Sequence, residues 1–246
     1  MAIVKGGKNI YGFRLGVIML ETHFPRLPGD IGNASTWDFP VLYKTMKKIG
    51  VREVIENDPA PFLQEFIEAA KDLEKQGVRV ITTSCGFLSI FQDQIAQELN
   101  VPFISSALIL IPIVHKMIGK KKVGIITANS QALSPLHLQA IGAQNVPIVK
   151  VGIEDTEFGK TLLYDRWEID IEVARKEMIE KAKKLISTDS DIGAIILECT
   201  NMPPFARDVR LVTKLPVFDI VNLINFVILC IDLNRSVKTR WFDESY

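Results

Sequence analysis

The tightest constraint on this chain is an internal echo. Two apolar, strand-like runs each stop at a cysteine among small polar residues: TTSCGF around Cys85 and LECTNMPPF around Cys199. Each cysteine is followed, 17 positions later, by a proline that opens a second short apolar run, Pro102 in NVPFIS and Pro216 in KLPVFD. Upstream, GVIML at 16–20 and VGIIT at 123–127 open the two units. Gly16 precedes Cys85 by 69 residues and Gly124 precedes Cys199 by 75. A duplication on this scale predicts two similar α/β lobes rather than one large sheet.

The strands are expected near Leu15–Leu20, Glu53–Ile55, Arg79–Thr83 and Phe103–Ser105, then near Val123–Thr127, Ile148–Val151, Ala194–Glu198 and Val217–Asp219. They are continuous Val- and Ile-rich runs, which suit parallel sheets covered on both faces. Between them the spacing predicts helices. One follows Asp58, with Pro61 in its first turn and Gly77 at its close. Its apolar positions Phe62, Phe66, Ala69, Ala70 and Leu73 fall on one face. Its counterpart runs near Asp170–Ile186. Further helices are expected at Leu88–Leu99 and Pro204–Val212. The terminal run IVNLINFVILCIDL reads as a buried helix packed back on the first lobe, with Cys230 in the core. The expected architecture is therefore α/β, with two lobes of mainly parallel sheet flanked by helices and related by a pseudo-twofold. Residues 1–115 with 217–246 form the first lobe and 116–216 the second. Ligands of open α/β sheets sit at the carboxyl ends of the strands. The cleft between the lobes should therefore gather both cysteines, the loop ETHFPRLPGDIGN, and Thr127 with Asn129.

Composition excludes several classes. Lys+Arg and Asp+Glu are balanced at 29 each, so no nucleic-acid partner is expected. The longest apolar stretches are interrupted by prolines or by Asp and Asn, so no membrane span is expected. No export signal is read at the N-terminus, which makes the cytoplasm the expected compartment. Three cysteines without CxxC or Cys/His spacing argue against a zinc site or a disulfide framework. No glycine-rich phosphate loop is present, and no metal or other cofactor is expected.

Two thiols facing one cleft suit a defined problem in proton chemistry. Inverting a carbon that bears hydrogen needs a base on one face and an acid on the other. Proton-transfer reach on each side implies sulfurs roughly 6–7 Å apart with the carbon between them. A free thiol, with a pKa of about 8.5, is mostly protonated at neutral pH, and helix N-terminal amides near the sulfur would raise its thiolate fraction. Small neighbours let backbone N–H groups approach a substrate carboxylate: Ser84 and Gly86 on one side, Thr200 and Asn201 on the other.

The segments TTSCGF and ECTN, set in two α/β units, resemble the aspartate/glutamate racemase superfamily. This group includes amino-acid and hydantoin racemases, maleate isomerases and arylmalonate decarboxylases. LETHFPRLPGDIGN is similar to a less characterised branch of it. The likeness spans roughly residues 13–229. It implies an isomerase without cofactor, a racemase or epimerase acting alpha to a carboxylate, with Cys85 and Cys199 as the acid/base pair. Thr22, Ser84, Gly86, Thr127, Thr200 and Asn201 would hold a small carboxylate substrate, and the suggested assembly is a homodimer. Three features depart from the racemases: Gly86-Phe87 stands where Asn-Thr is usual, Asn201 where glutamate racemases carry His, and Glu21-Thr22-His23 where they have a glycine-rich or Asp-Ser start. All three put an ordinary aspartate or glutamate substrate in question. The alternatives are a maleate-type isomerase or a decarboxylase of the same superfamily, and a small-molecule sensor. His23 lies at the expected mouth. Arg26 is a candidate carboxylate receiver, or else the local partner of Asp30.

Overall fold

The computed structural model describes residues 6–231. Eight strands form two sheets of four. They are β1 (Leu15–Leu20), β2 (Val41–Met46), β3 (Val80–Thr83), β4 (Phe103–Ile104), β5 (Lys122–Thr127), β6 (Ile148–Gly152), β7 (Ile192–Leu197) and β8 (Val217–Phe218). The first sheet has the order β2-β1-β3-β4 and the second β6-β5-β7-β8. Every pairing is parallel. One permutation thus occurs twice, as the repeat requires. All residues of β1 and β3 are buried, which is why those strands read as unbroken apolar runs.

Nine α-helices are described: α1 (Val51–Ile55), α2 (Leu63–Lys75), α3 (Gln92–Ala96), α4 (Ile111–Ile118), α5 (Pro135–Ala140), α6 (Glu157–Leu163), α7 (Ile171–Thr188), α8 (Ala206–Thr213) and α9 (Ile220–Ile231). Helix α2 buries Phe66, Ala69, Ala70 and Leu73, the face the sequence spacing picks out. Helix α7 is its counterpart, and a matched pair of glycines seats the two. A Cβ at Gly16 would lie 3.2 Å from Leu73, and one at Gly124 would lie 2.9 Å from Leu185. At both positions a bare backbone lets a helix leucine approach the central strand.

Two expectations are corrected. Glu53–Ile55 is not a strand but part of α1. Gly50 caps this helix, and the Glu53 carboxylate accepts the Gly50 N–H at 2.9 Å. This places Val51 and Ile55 on one helix face, towards the cleft. The edge strand next to β1 is Val41–Met46, where only the last residue is buried. Cys230 lies exposed on α9, not in the core, because α9 buries only Ile220, Leu223, Ile224 and Ile228.

The lobes exchange helices. Helix α4 follows the first sheet in the chain but lies against β5 and β7 of the second. Helix α9 follows the second sheet but returns to the first. There Ile228 and Ile231 share a groove with Phe13 and Arg14, and Arg79 Nη2 donates to the Ile231 carbonyl at 3.2 Å. The expected division at 216/217 therefore falls one strand early, since β8 pairs with β7 and the crossing comes with α9. Residues 232–246, placed in the first lobe from the sequence, lie outside the described residues. Among the described residues no helix is long and apolar enough to cross a membrane.

Candidate active site

The carboxyl ends of β1, β3, β5 and β7 meet between the lobes, and the loops leaving them are bonded to one another. The Leu20 N–H donates to Ser84 Oγ at 2.9 Å, and the Ser84 N–H to the Ile18 carbonyl at 2.9 Å. Across the cleft, Thr200 Oγ1 donates to the Ser84 carbonyl at 2.7 Å, and the Ile31 N–H to the Thr200 carbonyl at 3.3 Å. The two cysteine loops are thereby bolted together through their polar neighbours.

Cys85 and Cys199 line one tight pocket of about 30 Å³, well below the usual range for ligand sites. Each is 8% exposed, and among the described residues neither forms a disulfide. Thr22, Ser84, Gly86 and Asn201 line the same pocket. Thr127 and Thr200 do not. Both are fully buried one layer behind, with hydroxyls engaged by Glu198 and by the Ser84 carbonyl.

The two sulfurs have unlike surroundings. Burial, then the nearby Glu198 carboxyl, pushes the Cys85 thiol up to about 12, opposed by the backbone amides of Phe87 and Leu88 and by the Arg26 cation. Burial and Glu198 hold Cys199 well above the usual thiol range, and Cys85 and Asp30 add to this against one backbone amide, that of Asn201. Cys199 Sγ also donates to Asn201 Oδ1 at 3.2 Å. The other end of that amide is fixed, because Asn201 Nδ2 donates to Asp30 Oδ2 at 2.5 Å. Asp30 in turn accepts from Arg26 Nη1 at 2.9 Å, and Arg26 Nη2 donates to Thr22 Oγ1 at 2.8 Å. The chain Thr22–Arg26–Asp30–Asn201 thus ends by presenting an oxygen to Cys199, which keeps that sulfur a proton donor. Arg26 lines the pocket and pairs with Asp30, the local partner expected from the sequence.

Glu198 is the residue that sequence reasoning missed. It stands inside LECTN, a carboxylate closing an otherwise apolar strand directly before a cysteine, and that position was the available signal. It is 1% exposed. Oε2 accepts from Thr127 Oγ1 at 2.8 Å and from the Ala128 N–H at 3.1 Å, while Oε1 has no hydrogen-bond partner. Burial pushes its carboxyl up to about 7 against those two donors. Asp30 was read only as the local partner of Arg26, not as the anchor of Asn201.

At the mouth, His23 reaches the second lobe. Its Nδ1 lies 2.7 Å from Asp165 Oδ2, and Asp165 Oδ1 accepts the N–H groups of His23 and of Phe24, the latter at 3.1 Å. Phe24 and the neighbouring Leu162 and Leu163 line the pocket, so this clasp closes its outer wall. Asp165→Ala removes all three bonds and is expected to raise KM about fivefold, the effect of roughly 1 kcal/mol. Asp165→Asn keeps an acceptor for the two amides and should raise it less. Steady-state kinetics on both variants check this. The hydrogen bond to Asp165 raises the His23 pKa, so the histidine's share of the clasp is present at low pH and lost as pH rises through that raised value.

Comparisons with known proteins bear on the fold and the family. The sequence model of the Asp/Glu/hydantoin racemase family matches residues 112–224. A dimethylsulfoniopropionate lyase from Durusdinium sp. clade D is 35% identical over 228 residues, 89% of this chain and 75% of that protein. Among solved structures, a sulfate-associated mutant of arylmalonate decarboxylase superposes with a TM-score of 0.63 at 14% identity, over 88% of this chain and 92% of that one. Aspartate racemase from Picrophilus torridus gives 0.55 at 18% identity, over 88% and 93%. The chain belongs to the Asp/Glu/hydantoin racemase superfamily, in the family that holds the Durusdinium lyase.

Proposed function

We propose that this protein is a lyase that cleaves dimethylsulfoniopropionate, or a closely similar β-sulfonio carboxylate, into dimethyl sulfide and an acrylate. Racemisation and this elimination share a first step, removal of a proton alpha to a carboxylate. With a sulfonium on the next carbon, the electron pair freed by proton removal forms the C=C bond and the C–S bond breaks. The name of the Durusdinium relative supports the substrate class.

The observation that carries the proposal is the inequality of the two thiols. A racemase working in both directions needs thiols that exchange roles, whereas an elimination needs one base. The Cys85 sulfur receives two backbone amides and the Arg26 cation, all favouring its thiolate. The hydrogen bond from Cys199 to Asn201 favours its thiol. Cys85 is therefore the base, and Cys199 faces the opposite side of the substrate as a fixed donor. Arg26 has N–H groups beyond those bound to Asp30 and Thr22, and these can receive the carboxylate. The apolar wall of Val51, Ile55, Leu162 and Leu163, with Phe87, suits the dimethylsulfonio end.

The test is incubation of the purified protein with dimethylsulfoniopropionate, measuring headspace sulfide and dissolved acrylate. Equimolar release is expected. One observation favours a second reading, racemisation of an amino or hydroxy acid: a second thiol lines the same pocket. Solvent deuterium entering the alpha carbon of such an acid, with loss of optical activity and no sulfide from the sulfonium compound, would replace the first reading with the second.

A further inference from the structure

A lyase faces a problem that a racemase does not. A racemase returns a proton to its substrate at every turnover, but elimination leaves the base protonated, with that proton still to be lost from a closed site. Cys85 is 8% exposed and Glu198 1%, so the proton must first move to a group inside the pocket and can reach water only as the products leave. We infer that Glu198 takes the abstracted proton off Cys85 and passes it out of the pocket, which makes it the proton acceptor that resets the enzyme. This rests on the lyase reading above.

Four observations carry the inference. Glu198 lines the pocket that holds both thiols. Its carboxyl lies against the residue after Cys85, since a Cβ built on Gly86 would stand 2.1 Å from Glu198 Oε1. Oε1 is buried and without a hydrogen-bond partner, an open acceptor in a site where almost every other buried polar side-chain atom is paired. The second oxygen is fixed by Thr127 and Ala128, so the free one has a set direction.

The step balances. The Cys85 thiolate takes the alpha proton, dimethyl sulfide leaves with the C–S electron pair, and acrylate remains. The new thiol gives its proton to the Glu198 carboxylate, restoring the thiolate, and the carboxylic acid releases the proton to water as the products leave. In sum, one zwitterion becomes dimethyl sulfide, acrylate and one proton. Burial and then the Glu198 carboxylate push the Cys85 thiol far above Glu198, so at rest the proton sits on sulfur with Glu198 open to accept it, and the thiolate forms as that proton passes to Glu198.

The pH profile separates this role from a structural one. The groups around Glu198 are Cys85 and Cys199, the Arg26–Asp30 pair beyond them, and His137 of α5, which packs edge-on to Phe87 and is held neutral by burial. The Cys85 thiol titrates near 12, far above neutrality. Glu198 titrates near 7 and accepts a proton only above that value, so sulfide release by the wild type should rise with pH through about 7.

Glu198→Gln is expected to lower kcat by about 100-fold or more and to abolish that acid limb in the remaining rate. In infrared difference spectra, the wild type should show a protonated-carboxyl band that titrates near neutrality and is absent from the variant. Thr127→Val removes one donor from Oε2 and should move the limb to higher pH. If Glu198→Gln fails to fold by circular dichroism, the limb of Thr127→Val decides, a shift upholding the inference and an unmoved limb overturning it. A Glu198→Gln enzyme with near-normal kcat, or one that is slow but keeps the same limb, also overturns it. A wild type that releases no sulfide sinks the lyase reading itself. A wild type that releases sulfide beside an equally active Glu198→Gln sinks only the role of Glu198.

Discussion

Cys85→Ala should lower the rate of dimethyl sulfide release by about 10³-fold, within the range expected for losing a positioned base. Substrate binding should change little, because Arg26 and the apolar wall remain. The variant should also stay folded, since the change removes a single atom from a side chain that lines the pocket. Cys199→Ala is expected to cost less, about 10- to 100-fold. Its thiol is held as a donor by Asn201, and elimination does not require proton delivery to the substrate carbon. The double variant should be no slower than Cys85→Ala alone, because residues that act as one unit do not contribute additively. Measuring kcat and KM for the three variants separates the readings. Equal losses at both cysteines would mean that the thiols exchange roles, as in a racemase. A Cys85→Ala enzyme retaining more than a tenth of the wild-type rate would remove Cys85 as the base.

The features legible in the sequence were those that repeat. Parallel strands buried on both faces write themselves as Val/Ile runs, so β1, β3, β5 and β7 stood out, and the matched cysteines marked the ends of β3 and β7. Edge strand β2 did not, because VLYKTM is half-exposed and carries a Lys on its pleat. Helix α1 was mistaken for that strand, because VREVI is β-branched and too short to show a helical period; its cap is a glycine whose N–H is met by Glu53. At the site, the two cysteines and the loop after β1 were found through their place at strand ends. The roles of Thr127 and Thr200 were not legible, since whether a hydroxyl faces a pocket or ties two loops depends on partners 71 and 116 residues away. Glu198 was hidden for a related reason. A carboxylate at the end of a strand ordinarily points to water, and only the closing of Gly86 over it shows that this one does not.

Gly86→Ala should be among the most damaging single-methyl changes in the protein. The added carbon would lie 2.1 Å from Glu198 Oε1 and 2.4 Å from the Glu198 carbonyl oxygen, where real contacts essentially never fall below 3.0 Å. The carboxyl could swing aside, at the loss of its bonds to Thr127 and Ala128. The carbonyl cannot move so easily, because the Glu198 N–H is pinned to the Ile126 carbonyl at 2.9 Å at the end of β7. Overpacking of this kind costs about 1–3 kcal/mol, and a rigid backbone neighbour places it at the upper end. In a chain of this size that lowers the melting temperature by roughly 6–12 °C, as thermal unfolding will measure. Sulfide release at 25 °C should fall as well, since the displaced groups are the carboxyl and the loop that carries Cys85. Gly142→Ala is the control. That glycine has φ +69° with nothing within 4 Å of an added Cβ, so it should lose about 1 kcal/mol to backbone strain and keep its activity. In Gly86→Ala/Glu198→Ala the carboxyl contact is gone and the carbonyl contact persists, so only part of the lost stability should return. Full recovery would place the conflict in the side chain alone, and a Gly86→Ala protein as stable as the wild type would mean that the two lobes meet less closely than the structure has them.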